Sequence, residues 1–84
     1  MIATMSSMSS ASRIKRKLSE FGIFSSVIQT PHILAKEGCG YSLRFDENSK
    51  SIVLSTAEEL GIKIHATYTE SEKNGKKEYT KIPL

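Results

Sequence analysis

The hydrophobic residues of this chain recur first with the period of a helix and then with the period of a strand. The first apolar set is spaced by three, four and three residues, which places it on one face of an α-helix; its members are Ala11, Ile14, Leu18 and Phe21. This helix is predicted to end near Gly22. The serines at positions 6 to 12 are predicted to form a loop and to cap the helix start.

Three later segments have the composition of β-strands. The segment 23–28 is rich in β-branched and aromatic residues and is expected to stop at Thr30-Pro31, because proline cannot donate to a sheet ladder. In the segment 41–45 apolar residues alternate with Ser42 and Arg44, which predicts a half-buried strand. The segment 62–69 alternates in the same way and is the clearest strand pattern in the chain.

A second helix is predicted between the last two of these strands. Asp46 or Asn48 would cap it, and Gly61 would end it. Its shared apolar face consists of Ile52, Val53, Ala57 and Leu60. The segment 51–56 is rich in β-branched residues, so a strand is the competing interpretation.

With a short first strand before the first helix, the order of elements is strand, helix, strand, strand, helix, strand. This order predicts an α+β fold, the ferredoxin-like βαββαβ arrangement, with an antiparallel sheet of order 4-1-3-2 and both helices on one face. The start of the third strand would then lie beside the end of the first strand, where the first helix begins. We expect this domain to span residues 1–69. The charged segment 70–84 contains Asn74-Gly75, a favoured hairpin turn, and is expected to form either a hairpin or a mobile tail.

Composition limits the possible functions. The chain has 84 residues, which is enough for one hydrophobic core. Its single cysteine cannot form an internal disulfide. One cysteine and two histidines are too few ligands for a structural metal or cofactor site. The first residues lack the basic segment and long apolar run of a signal peptide or membrane span, so the expected compartment is the cytoplasm. The net charge is +3, and four of the 12 basic residues, Arg13, Lys15, Arg16 and Lys17, fall within five positions. This cluster suits an acidic partner or phosphates, or it is an ordinary solvated helix face.

The single cysteine is the strongest candidate for chemistry. Cys39 stands between Gly38 and Gly40, which lack side chains and would let another protein approach the sulfur closely. The predicted topology brings this segment near the start of the first helix, whose partial positive charge favours a thiolate. The competing interpretation is a buried structural thiol, because Cys39 shares its parity with the apolar residues of the third strand.

Several segments in order resemble a known family. They are Leu18-Ser19-Glu20-Phe21-Gly22-Ile23, Thr30-Pro31, Gly38-Cys39-Gly40-Tyr41-Ser42-Leu43-Arg44-Phe45-Asp46 and Glu59-Leu60-Gly61-Ile62. Together they resemble the small bacterial and archaeal family of selenium or sulfur carrier-like proteins, over roughly residues 2–69. The resemblance implies that Cys39 holds the sulfur or selenium atom. Gly38 stands where small polar residues are commoner in the family, and the segment beyond Thr69 lies outside the pattern.

The resemblance therefore implies a carrier rather than an enzyme. Cys39 would hold a persulfide or selenosulfide, received from or passed to a cysteine desulfurase or a selenium-handling enzyme, with Gly38, Gly40 and Arg44 as binding residues. The alternative is a non-catalytic interaction or regulatory module with a structural cysteine. Arg44 could equally pair with a carboxylate, and His32 is expected to be a solvent-facing loop residue. Nucleic-acid binding is disfavoured, because the exposed parity of the third strand offers no aromatic residue for stacking.

Overall fold

Seven helices and strands occur in the part of the chain that the structure describes. The structure, a computed structural model, describes residues 1–35 and 40–83. In chain order the elements are β1 (Ile2–Met5), α1 (Met8–Glu20), β2 (Ser25–Gln29), β3 (Tyr41–Phe45), α2 (Lys50–Leu60), β4 (Ala66–Lys73) and β5 (Lys76–Ile82). Single 3-10 turns occur at His32–Leu34 and Glu47–Ser49.

The five strands form one antiparallel sheet with the order β2-β3-β1-β4-β5. The α+β class and the two predicted helices are confirmed. The predicted four-stranded sheet of order 4-1-3-2 is corrected, because β5 adds a fifth strand at the edge beyond β4. The predicted neighbours of β1, namely β3 and β4, are the strands that flank it in the structure.

The charged C-terminal segment forms a hairpin, which decides between the two predicted alternatives. Asn74 and Gly75 have φ values of 54° and 76°, the left-handed conformation that a tight two-residue turn between twisted strands requires. The register runs from Lys73 opposite Lys76 to Thr67 opposite Ile82. β4 spans Ala66–Lys73, so it crosses residue 69 without a break. The domain boundary after residue 69 stays a prediction.

The core lies between the two helices and one face of the sheet. It includes side chains from α1, α2, β1 and β3, among them Ala3, Met5, Ala11, Ile14, Leu18, Leu43, Phe45, Val53 and Ala57. The predicted stripe on α1 is confirmed for Ala11, Ile14 and Leu18, which are fully buried. Phe21 is an exception with 60% exposure, because α1 ends at Glu20 and Phe21 occupies the C-cap position, where the backbone leaves the helical path.

The segment 50–60 is helical, so the competing strand interpretation is wrong. Gly61 ends α2 with φ 71°, as predicted. Asp46 caps the preceding 3-10 turn rather than α2 itself, since its side chain accepts the N–H of Asn48 at 2.8 Å. Ile52 is 43% exposed, contrary to its predicted place on the buried face, and Thr56 is buried on α2 instead.

The last predicted strand starts later than its alternation suggests. The residues 62–65 are not in a strand, although Ile62 and Ile64 pack against the core. The N–H of His65 bonds to the carbonyl of Thr4 at 2.9 Å, and ladder pairing begins with Ala66 opposite Thr4. Burial of two alternate isoleucines in a connecting segment therefore produced the strand-like pattern. The second strand likewise starts at Ser25 rather than Ile23.

Candidate functional site

The described residue nearest in sequence to Cys39 is Gly40, which lies at the end of the sheet where β3 begins. Its carbonyl accepts the N–H of Thr30 at 3.1 Å, directly after β2. The next residue, Tyr41, is paired with Met5 at the end of β1 and with Gln29 at the end of β2. The predicted juxtaposition of the third strand's start with the first strand's end is confirmed. We refer to this part of the fold as the Gly40 end.

Helix α1 starts at the same end, two residues after β1. Ser7 caps it: the Ser7 hydroxyl oxygen accepts the N–H of Ser10 at 3.1 Å, and the two hydroxyls are 3.0 Å apart. The first N–H groups of an α-helix have no partners within the helix, and they give its N-terminus a partial positive charge. The predicted cap is thus confirmed at Ser7, but the predicted loop is wrong for Ser9, Ser10 and Ser12, which lie within α1. Because the end of β1 is paired with the start of β3, the positive end of α1 lies near the start of β3.

Buried hydroxyl groups brace the Gly40 end. The Thr30 and Ser42 hydroxyl oxygens are 2.7 Å apart, and both residues are almost completely buried. On β1 the Thr4 hydroxyl donates to the carbonyl of Ala66 at 3.3 Å. Hydroxyls buried in this way are costly unless they are paired, so these bonds favour one arrangement of the strand ends. The alternation along β3 predicts solvent exposure for Ser42, so this role was not apparent from the sequence.

Gly40 itself is open to solvent. It is exposed, and a Cβ atom built on it would meet nothing within 4 Å. Two large apolar side chains close to this end in sequence are also exposed: Met8, the first residue of α1, by 54%, and Ile33, three residues after Thr30, by 68%. His32 is exposed as well, as expected. The Cys39 thiol, Gly38 and Lys36 lie outside the described residues.

Arg44 is not brought together with Gly40. It lies on β3 four residues beyond Gly40, about 13 Å along an extended strand. Its guanidinium makes two hydrogen bonds to Glu70, from Nε to Oε1 at 2.9 Å and from Nη2 to Oε2 at 3.0 Å. The alternative prediction, that Arg44 pairs with a carboxylate, is therefore confirmed. The binding role predicted for Arg44 stays a prediction.

The pKa of Glu70 reflects this contact. Burial by itself raises the pKa, but the hydrogen bond and positive charge of Arg44 outweigh burial, with smaller contributions from Lys77 and the amino group of Met1. The net effect is a pKa below the ordinary value for glutamate. Lys77 lies 3.8 Å from the second carboxylate oxygen. Arg44 thus has a structural partner that the local sequence did not reveal, since Glu70 is far away along the chain.

The described residues include no cluster of metal ligands and no helix that could span a membrane. Within residues 1–35 and 40–83, no three histidine, cysteine, aspartate or glutamate side chains are grouped so that they could hold a metal ion. None of the helices in the described part of the chain is long and apolar enough to cross a membrane.

Comparison with known proteins gives one family. The model of the family described as "Putative Se/S carrier protein-like" matches residues 1–69. The chain belongs to this family. No curated protein matches the chain, and no solved structure matches it. The matched region of the Se/S carrier protein-like family contains β1 to β3, both helices and the first residues of β4, together with Cys39.

Proposed function

We propose that this protein carries sulfur or selenium as a persulfide or selenosulfide on Cys39. The observation that carries the proposal is the match of the Se/S carrier protein-like family to residues 1–69. Cys39 is the only cysteine of the chain, so it is the only side chain that can hold a chalcogen atom in a covalent persulfide. The protein would act as a carrier and not as an enzyme.

The chemistry is thiol exchange without a net change of oxidation state. The Cys39 thiolate attacks the terminal sulfur of a donor persulfide, a new S–S bond forms, the donor's S–S bond breaks, and the donor cysteine leaves as a thiolate. An acceptor thiolate then attacks the terminal sulfur on Cys39 and regenerates the Cys39 thiolate. A terminal selenium atom follows the same two steps.

The geometry of the Gly40 end supports this role. Gly40 is exposed and has open space around it, so it does not obstruct a partner. The N-terminus of α1 begins at the same end, and its partial positive charge stabilises nearby anions such as a thiolate or a persulfide. We propose Gly38 and Gly40 as the backbone against which the partner's reacting cysteine docks. Arg44 has a separate position in the ion pair with Glu70, so its contribution to this site would be indirect.

The proposed partners follow from the chemistry. A persulfide donor of the cysteine desulfurase type, or a selenium-handling enzyme, would load Cys39, and a thiol protein would accept the atom. The cytoplasm suits this exchange, because free thiols persist there.

The test is direct loading. Wild-type protein is incubated with a cysteine desulfurase and cysteine labelled with radioactive sulfur, and label bound to the protein is measured before and after reduction. We expect label on the wild type that a thiol reductant releases. Cys39→Ser is expected to retain none. Equal labelling of wild type and Cys39→Ser would refute a persulfide on Cys39.

An interaction module without sulfur chemistry is the second candidate. It is favoured by the exposure of Phe24, 83%, and Phe21, 60%, because exposed aromatic side chains commonly contact other proteins. Reaction with a thiol reagent distinguishes the two candidates. A native-state Cys39 that reacts only after denaturation would favour the module over the carrier.

A further inference from the structure

The entire formal net charge of the chain lies on α1. This helix contains four of the 12 basic residues and one of the nine acidic residues, a charge of +3, and the remaining eight basic and eight acidic residues cancel. The net positive charge is thus not spread over the whole protein. It is concentrated on the helix that starts at the Gly40 end.

Two of the four basic side chains of α1 lie on the face opposite its core contacts. Ala11, Ile14 and Leu18 face the core, while Arg13 and Arg16 are exposed near the middle of the opposite face. A shallow groove on this face is lined by Ser12, Lys15, Arg16, Ser19 and Glu20. We refer to this surface as the α1 basic face.

Within the described part of the chain, these charges have no ion-pair partner. Among the described residues, the ion pairs involve Arg44, Lys77 and Glu70 and none of the α1 side chains. Lys17 makes a cation–π contact rather than an ion pair: its Nζ lies over the ring of Phe21, 5.9 Å from the ring centroid. Unpaired exposed charges of one sign attract a partner of the opposite sign and steer its approach.

We infer that the α1 basic face docks an acidic surface on the protein that exchanges sulfur or selenium with Cys39. This inference rests on the proposed function. Arg13 lies five residues and Arg16 eight residues from the start of α1, about 8 and 12 Å along the helix axis. A partner bound to the α1 basic face would also reach the Gly40 end. The exposed apolar side chains of Met8 and Ile33 would offer further contacts there.

Two other anionic partners fit the helix less well. An amphipathic helix binds a lipid surface through its apolar face, but the apolar face of α1 is buried in the core. A nucleic acid presents a continuous row of phosphates, and Glu20 lies within the basic groove, where it would repel them. A protein surface can place a single cation opposite Glu20 and acidic groups opposite the arginines.

The first experiment measures docking without sulfur chemistry. Fluorescent poly-L-glutamate is the probe, and oligouridylate and phosphatidylserine vesicles are tested in parallel at low salt. The variant Arg13→Glu/Arg16→Glu is compared with Lys76→Glu/Lys81→Glu, which makes the same charge change at two exposed residues of β5. We expect the α1 variant to bind poly-L-glutamate about tenfold more weakly than wild type and the β5 variant to bind it nearly as well. Equal loss in both variants, absence of binding to the probe, or tighter binding of oligouridylate or vesicles would overturn the inference.

The second experiment separates docking from loading. The rate at which Cys39 is loaded by a cysteine desulfurase is compared with the rate of loading by glutathione persulfide. We expect the α1 variant to be loaded about tenfold more slowly by the enzyme and at the wild-type rate by the small donor. Equal enzymatic loading of wild type and α1 variant would overturn the link between this face and the partner. Failure of the wild type to load from either donor would instead refute the proposed carrier function, and the poly-L-glutamate result would still decide the docking surface.

Discussion

Arg44 on β3 and Glu70 on β4 form a two-bond ion pair although β1 lies between their strands. The register explains how they meet. Ile2, the first residue of β1, is paired with Arg44 on one side and Tyr68 on the other, so Glu70 lies beyond the start of β1. The amino group of Met1 caps the same end by donating to the carbonyl of Phe45 at 2.8 Å. The pair therefore connects the C-terminal hairpin to the rest of the sheet.

Loss of this ion pair should destabilise the protein in a pH-dependent way. We expect Glu70→Gln to lower the free energy of unfolding by about 1 kcal/mol at neutral pH, as for a two-bond pair that is partly exposed. The pKa of Glu70 is lowered in the folded state, so its stabilisation is present above the unfolded-state pKa of about 4.3 and is lost as the pH falls through the lower folded-state value. Urea denaturation from pH 7 to pH 3 measures the difference.

The matched control for Glu70→Gln is Glu78→Gln on β5. Glu78 is exposed and has no ion pair within the described part of the chain. It should change stability by less than about 0.5 kcal/mol. A difference between wild type and Glu70→Gln that stays constant down to pH 3 would contradict the assignment of this stabilisation to the ionised Glu70.

Contact between α1 and the core should dominate stability. Ile14 is completely buried, so Ile14→Ala is expected to lower the free energy of unfolding by about 2 to 5 kcal/mol, through lost burial and the cavity that remains. Phe24→Ala removes a larger side chain that is 83% exposed and should cost less than about 0.5 kcal/mol. Urea denaturation of the two variants tests this order, and an equal loss would mean that Phe24 is buried in solution.

Gly40 should be needed for exchange but not for folding. A Cβ atom at Gly40 meets nothing within 4 Å, so Gly40→Ala is expected to keep the wild-type thermal midpoint. If a partner approaches the backbone here, the same variant should be loaded more slowly by a cysteine desulfurase. Gly61→Ala is the control, because it should change stability and not exchange. The φ of Gly61 is +71°, which is unfavourable for alanine, so this variant should lose about 1 kcal/mol of folding free energy. Loading of the folded variant should be unchanged. Wild-type loading of Gly40→Ala would remove the reason to include Gly40 in the site.

The C-terminal hairpin should stabilise the region matched by the family. A chain that stops after residue 69 loses β5, the Arg44–Glu70 pair and the hydrogen bond from the Thr67 hydroxyl to the carbonyl of Ile82 at 2.9 Å. We expect a lower thermal midpoint by circular dichroism than for the full chain. An unchanged midpoint would show that residues 1–69 form an independent domain, as the sequence pattern predicted.

Local patterns in the sequence were sufficient for several elements. The spacing of Ala11, Ile14 and Leu18 determined α1 and its buried face, because a helix places such residues on one side. The alternation around Leu43 and Phe45 determined β3, and Asn74-Gly75 determined the turn of the hairpin. These features depend on residues close together in the chain, so the sequence alone reveals them.

Other features depend on which segments meet. Ile62 and Ile64 alternate like strand residues but lie before β4, because ladder pairing with β1 begins only at Ala66. Phe21 and Ile52 fit apolar stripes but remain exposed. For the candidate site, the sequence identified Cys39 as the one available thiol and suggested that the start of β3 meets the start of α1. Only the tertiary structure decided that Arg44 pairs with Glu70 and that Gly40 opens to solvent, because strand register and packing bring together residues that are distant in sequence.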